Sequence, residues 1–214
     1  MRSLVSKNNS PYTSSFTSCV YLQSEFDRAL HLFLSDNAEI LIKQEIEANS
    51  LLMLNSRSTR THAVNEIRKR FNACSRVYWE HYQGLTGDAR RLAYFYAILK
   101  AYRLLFDLHI NVTVRRWQSA QNTVGSDDLR LEFNEIAGRD SFVASWTELT
   151  QKKVFTAYMS IMRKVGLLSG SPEVLNPVSR SVEDFRFYLE NGESWFLEAC
   201  LLHKYEITNM RSLL

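Results

Sequence analysis

The chain has 214 residues, 45% hydrophobic and 23% charged, a size for one large or two small domains whose core needs neither disulfides nor metal. Its cysteines, Cys19, Cys74 and Cys200, lie far apart and never form a CxxC pair, which argues against a disulfide scaffold and for a reducing compartment. The net charge of +3 is uneven: residues 1–56 carry −2, residues 57–116 carry +8 and residues 117–214 carry −3, so either one surface faces an anion or these cations only solvate helices.

With 7 Gly and 3 Pro, long uninterrupted helices are favoured, and strand-like alternation is scarce. The opening "MRSLVSKNNSPYTSS" lacks the apolar segment of a signal peptide. A first helix is expected from about Ser14 to Ser35, with Phe16, Cys19, Leu22, Phe26, Leu30 and Phe33 at helical spacing. A short acidic helix follows Asp36 or Asn37. After the break "NSLLMLNS", a third helix places Ala63, Val64, Ile67, Phe71 and Cys74 on one face, and "SRVYWEHYQ" extends it or forms a separate turn.

"GLTGD" is a break, with Thr86 or Asp88 as the next cap. The helix from about Asp88 to beyond Phe106 is apolar almost all round and belongs at the centre of a bundle. Its most apolar run, Leu92–Leu99, stops at Lys100, well short of the roughly 20 residues of a membrane span. The β-branched run Ile110, Val112, Thr113, Val114 weakens the case for helix there. "NTVGS" at 122–126 marks the expected boundary between an N-terminal helical bundle with a basic surface, 1–122, and a C-terminal helical lobe, 123–214. In that lobe "SDDLRLEFNEIAG" and "RDSFVASWTEL" are helices, and Thr150 is the expected cap of the next, "QKKVFTAYMSIMRKVGLL". "SGSPEVLNPVS" is the segment most like a turn or strand, and "SVEDFRFYLEN" and "ESWFLEACLLHKY" finish the chain as two short helices.

Three basic segments are candidates for holding phosphates. "NSRSTRTHAVNEIRKRF" packs four hydroxyls and five Lys/Arg into residues 55–71. On a helical projection Arg68 and Arg70 flank the apolar sector and Lys69 lies near the opposite pole, so the cations encircle the helix. Its start is more informative. Arg57, Ser58, Arg60 and Thr61 gather where free N–H groups and the positive dipole end suit a phosphate. The competing reading is a Ser58 cap with solvated arginines, or an Arg60–carboxylate pair. "VRRW" sets Arg115 and Arg116 beside Trp117, and Arg90, Arg91, Lys100 and Arg103 interleave with Tyr94, Tyr96 and Tyr102; such mixtures can serve unpaired bases, although these tyrosines lie on a core helix where packing is the competing role. After Thr150 the faces separate cleanly: Val154, Phe155, Tyr158, Ile161, Met162 and Val165 are apolar, and Lys152, Lys153, Arg163 and Lys164 project from the other side. No acid occurs between Glu148 and Glu173. A short helix, a turn and this longer helix make a helix-turn-helix-like part, with "GLLSGSPEVLNP" as a rudimentary wing or small β-hairpin.

Catalytic and metal signatures are missing. The histidines form neither HExxH nor a metal-spaced pair, and there is no GxSxG, Walker A or GxGxxG motif. Asp127–Asp128 and Glu183–Asp184 fall at helix starts, where capping explains them. The expectation is a non-enzyme with no cofactor, no metal, no small-molecule substrate and no membrane partner, working in the cytoplasm.

Four segments in order resemble the BrxA family of bacterial BREX phage-defence systems: "YTSSFTSCVYLQSEFDRAL", "SRSTRTHAVNEIRKRF", "YAILKAYRLLFDLHINVTVRRW" and "SWTELTQKKVFTAYMSIMRKVGLLS", covering most of residues 12–170. The resemblance implies an all-α, NusB-like multi-helix bundle that binds nucleic acid without catalysis, with duplex DNA favoured over RNA and other BREX proteins as partners. A protein-interaction module whose basic face meets an acidic partner is the further alternative.

Overall fold

Short polar side chains cap several of the helices, and the chain divides into two compact units. The computed structural model describes residues 9–178 and 181–214. Residues 1–8, part of the stretch read as lacking a signal peptide, lie outside the described residues.

The first unit spans Ser14–Ala101. Where one helix was expected from Ser14, a 3₁₀ turn at Ser15–Ser18 is followed by an interruption, with Leu22 in the left-handed region (φ 54°), before α1 runs Gln23–Leu34. The interruption has a physical cause. The carbonyls of Cys19, Val20 and Tyr21 turn onto the Arg70 guanidinium instead of closing a helix. The acidic helix α2 (Ala38–Ala48) ends at Asn49, also left-handed. Ser56 caps α3 (Arg57–Asn72), Ser75 caps a separate α4 (Arg76–Gln83), and α5 covers Gly87–Ala101. Every residue of α5 from Leu92 to Leu99 is buried, as its sequence requires of a central helix. Around it Phe26 packs 4.8 Å from the Trp79 ring and 5.0 Å from Tyr94.

The second unit takes Tyr102–Leu214 with residues 9–13. The chain therefore divides ahead of the 122/123 boundary read from the sequence. Tyr102 is extended (φ −128°, ψ 98°) and ends α5. The helix that follows, α6 (Arg103–Leu108), a π-helical stretch His109–Val114 and α7 (Arg115–Gln118), packs against the later elements α8 (Ser126–Arg139) and α12 (Trp195–Ala199). The β-branched run is thus helical but wider than α, and that turn sets His109 and Thr113 against the same Tyr158 hydroxyl.

Asp128 closes the start of α8 by accepting from the Gly125 N–H at 2.8 Å. Asp140 caps α9 (Ser141–Ala144), and Thr147 rather than Thr150 caps α10 (Glu148–Val165). Gly166, at φ 89°, ends α10 in the left-handed conformation that costs glycine least. A two-stranded antiparallel hairpin follows, β1 (Leu168–Ser169) with β2 (Val174–Leu175), pairing Leu168 with Leu175. Ser181 caps α11 (Val182–Glu190). The last segment does not form the single helix expected. Leu201 at φ 64° separates α12 from α13 (Lys204–Ser212). The chain is all-α with one small hairpin, as the sequence reading held.

Candidate nucleic-acid interface

The start of α3 is built from its own hydroxyls. Ser56 Oγ accepts from the Thr59 N–H at 3.1 Å, and Thr61 Oγ1 donates to the Arg57 carbonyl at 3.0 Å. Ser58 is exposed and is not the cap. Arg60 does not face outward. Its guanidinium donates to the Ile46 carbonyl (2.6 Å) and the Leu54 carbonyl (3.1 Å), closing the C-terminal end of α2, where carbonyls lack helical partners. The intervening turn is held from below by the buried Glu45, whose carboxylate accepts from the N–H groups of Leu51 and Leu52 and from the Ser50 hydroxyl.

The other α3 cations also meet protein groups. Arg57 pairs with Glu47 at 2.6 Å, and the pair holds the Glu47 carboxyl below its ordinary value and raises Arg57. Arg68 reaches both carboxylate oxygens of Glu39, at 2.9 and 3.1 Å. Lys69 donates to Glu66 and to the Ser15 hydroxyl. Arg70 is fully buried under Tyr94, whose hydroxyl it meets at 2.8 Å. Glu39 and Glu47 of α2 thus neutralise Arg68 and Arg57 where α2 packs on α3. The phosphate clamp read at Arg57–Thr61 is not assembled as a set of free donors.

Residues 126–175 are arranged differently. Phe133 of α8 meets Trp146 (6.0 Å) and Phe155 of α10 (5.7 Å, edge-on), and Phe142 of α9 also packs edge-on to Trp146. The long helix buries Val154, Phe155, Ala157, Tyr158, Ile161, Met162 and Val165. Beneath it lies a buried polar group: Tyr158 hydroxyl contacts His109 Nδ1 (2.9 Å) and Thr113, and His109 Nε2 lies 2.7 Å from the Ala199 carbonyl. Because a carbonyl only accepts, the proton sits on Nε2 and Nδ1 accepts from Tyr158. Burial holds the imidazole neutral, its pKa drawn down to about 4.

On the outer side of α10, Lys152 pairs with Glu148 at 2.9 Å and Arg163 pairs with both oxygens of Glu173, which ties the hairpin to the helix. Lys153 and Lys164 are exposed and make no ion pair among the described residues. Helix, short helix, long helix and β-hairpin follow in the order of a winged helix-turn-helix. At α7, Arg116 donates to the Thr123 carbonyl and to Asp128, each at 2.6 Å, whereas Arg115 is exposed, makes no ion pair among the described residues and lies on the rim of an open cleft of about 350 Å³. Asp128, Glu132 and Glu135 also line that cleft, so its balance is not basic.

Among the described residues no cluster of His, Cys, Asp and Glu has the grouping of a metal site, and no helix is long and apolar enough to cross a membrane. The sequence reading missed the pairing acids Glu39 and Glu47, which precede the cations they meet by 29 and 10 residues. Only the acidic composition of α2 signalled them.

A family model described as BrxA matches residues 10–187 of the chain. The fold is similar to that of an uncharacterized protein from Magnetospirillum magneticum seen in a crystal structure. The TM-score is 0.70 at 20% sequence identity, over 90% of this chain and 98% of that one. No curated protein matches.

Proposed function

The chain belongs to the BrxA family of BREX phage-defence systems, and from that premise we propose that it is a non-enzymatic cytoplasmic component that grips duplex DNA through α10 and the hairpin behind it. The observation that carries this reading is the outer face of α10, where Lys153 and Lys164 stand without acidic partners at either end of a helix followed by a wing. Lys152 and Arg163 flank them: Lys152 is held by the exposed carboxylate of Glu148, which a phosphate can displace because exposed ion pairs are weak, and Arg163 is held by both oxygens of the half-buried Glu173. Lysine heads are point charges that suit phosphates rather than base edges, so the contact positions the duplex without reading its sequence.

Binding to phosphates releases counterions and is steeply salt-dependent. Engagement of about four phosphates, one for each of these cations, lowers affinity by roughly a hundredfold between about 50 and 200 mM salt. The test is a salt titration of duplex binding by the native chain and by Lys153→Ala/Lys164→Ala. The double variant is expected to bind more weakly at every salt concentration, with the log–log slope reduced by about 2. An unchanged slope removes α10 from the interface. A clear preference for structured RNA of equal length over duplex DNA overturns the choice of ligand. Binding to no nucleic acid, with retention of other BREX proteins, leaves a protein-interaction role in its place.

A further inference from the structure

The C-terminal helices lie beyond the 10–187 family match and carry a surface that the α10 interface leaves unused. Trp117, at the end of α7, stacks on His203 with ring centroids 5.3 Å apart and planes 19° from parallel. His203 in turn stacks on Tyr205, at 5.7 Å and 12°. The three rings form a ladder that is half-buried at Trp117 and open at Tyr205, which is 65% exposed.

Backbone contacts hold the ladder in place. Gln118 Nε2 donates to the Leu202 carbonyl at 3.1 Å, fastening the turn before α13 to the end of α7. Glu206 accepts from the His203 N–H at 2.6 Å, closing the start of α13. Trp117 Nε1 is buried with no acceptor among the described residues, and an unsatisfied N–H is costly.

Lys204 and Arg211 on α13 are exposed and make no ion pair among the described residues. The carboxylate of α13, Glu206, is turned back onto the His203 N–H. Thr208 and Asn209 add exposed polar groups on the same helix. An open aromatic face flanked by uncompensated cations is the combination that holds a single strand, the ring stacking on a base and the cations on its phosphates. A base-paired duplex hides its base faces, so such a platform is silent toward intact duplex.

We propose that the Trp117–His203–Tyr205 ladder is a stacking platform for an unpaired base of a DNA strand, with Lys204 and Arg211 holding the adjoining phosphates. The platform rests on the nucleic-acid reading of the family member but is a site separate from the outer face of α10. It engages a frayed end, a displaced strand or a tail.

Binding of the full chain is measured with three probes: a blunt duplex, the same duplex with a short single-stranded DNA tail, and that duplex with an abasic tail of equal length and charge. The native chain is expected to bind the tailed duplex roughly tenfold more tightly than either of the others, the gain of about one stacked base. Tyr205→Ala is expected to abolish that gain, and Tyr205→Phe to keep it. Equal binding of the tailed and abasic-tailed probes overturns the platform, as does an unchanged gain in Tyr205→Ala. Loss of blunt-duplex binding bears on the α10 reading alone. Lys153→Ala/Lys164→Ala is expected to weaken all three probes together and leave the tenfold ratio intact, and a collapse of that ratio overturns the separation of the two sites.

Discussion

Helices α3 and α10 are both rich in cations, yet one is closed and the other open. On α3, Arg57, Arg60, Arg68, Lys69 and Arg70 each meet a carboxylate, a carbonyl or a hydroxyl of the protein. On α10, Lys152 and Arg163 are paired, while Lys153 and Lys164 face outward without an acid. The difference comes from what lies opposite. Helix α3 packs on the acidic α2, whereas the acids nearest in sequence to α10, Glu148 and Glu173, bracket its ends. Local charge density therefore says how many cations a segment has, and the neighbouring element says how many are available.

The largest effect expected from breaking this contrast is at Arg70. Its guanidinium satisfies three consecutive carbonyls in a buried site. Arg70→Met is expected to cost about 3–5 kcal/mol in chemical denaturation, because the carbonyls lose their donor where water does not reach. A loss under about 1 kcal/mol would show that the site is solvated or rearranges.

A comparable effect is expected from acid in the second unit. The unfolded chain protonates His109 near its ordinary value of 6.5, and the folded chain resists until about 4. Folded stability is therefore complete above about pH 6.5 and falls toward pH 4, since the unfolded state takes the proton first. The slope approaches about 1.4 kcal/mol per pH unit from this group. His109→Gln is expected to remove that part of the slope, read from denaturation midpoints across pH 4–7. An unaltered pH profile would mean that another group controls acid sensitivity.

Arg60→Ala is expected to destabilise by about 1–3 kcal/mol, with loss of order in the 49–55 turn read by amide exchange, because two carbonyls lose a charged donor. The smallest effects sharpen the functional contrast. Glu148→Gln/Glu173→Gln frees Lys152 and Arg163 and is expected to raise duplex affinity several-fold at low salt, about one added phosphate contact for each cation. Glu39→Gln/Glu47→Gln frees Arg68 and Arg57 and is expected to leave that affinity unchanged within error. If the second pair raises affinity and the first does not, α3 is the contact and α10 is not.

Residue order alone was enough for most of the helical segments, some of their starts and the hairpin. Helical periodicity, capping hydroxyls and glycines act over three or four neighbours, so they are readable locally. The central position of α5 was equally plain, because a helix apolar on all sides has nowhere else to go. The continuous helix expected through Ser14–Ser35 failed for a reason no local pattern holds: a guanidinium about fifty residues away captures the carbonyls at 19–21. The division of the last segment at Leu201 has no glycine or proline to announce it.

The candidate site was legible to the same extent. The two-faced character of α10 and the lack of an acid after Glu148 are properties of its own eighteen residues. The clamp at Arg57–Thr61 looked equally sound in the sequence. Folding brought Glu47 to Arg57 and turned Arg60 onto Ile46 and Leu54. The ladder from Trp117 to Tyr205 joins residues almost ninety positions apart, so "VRRW" showed only its first ring. Local order thus settled which segments are helical and which carry charge, because those depend on near neighbours. Tertiary packing alone decided which charges and rings remain free, because pairing falls off within a few ångströms and its partners come from distant parts of the chain.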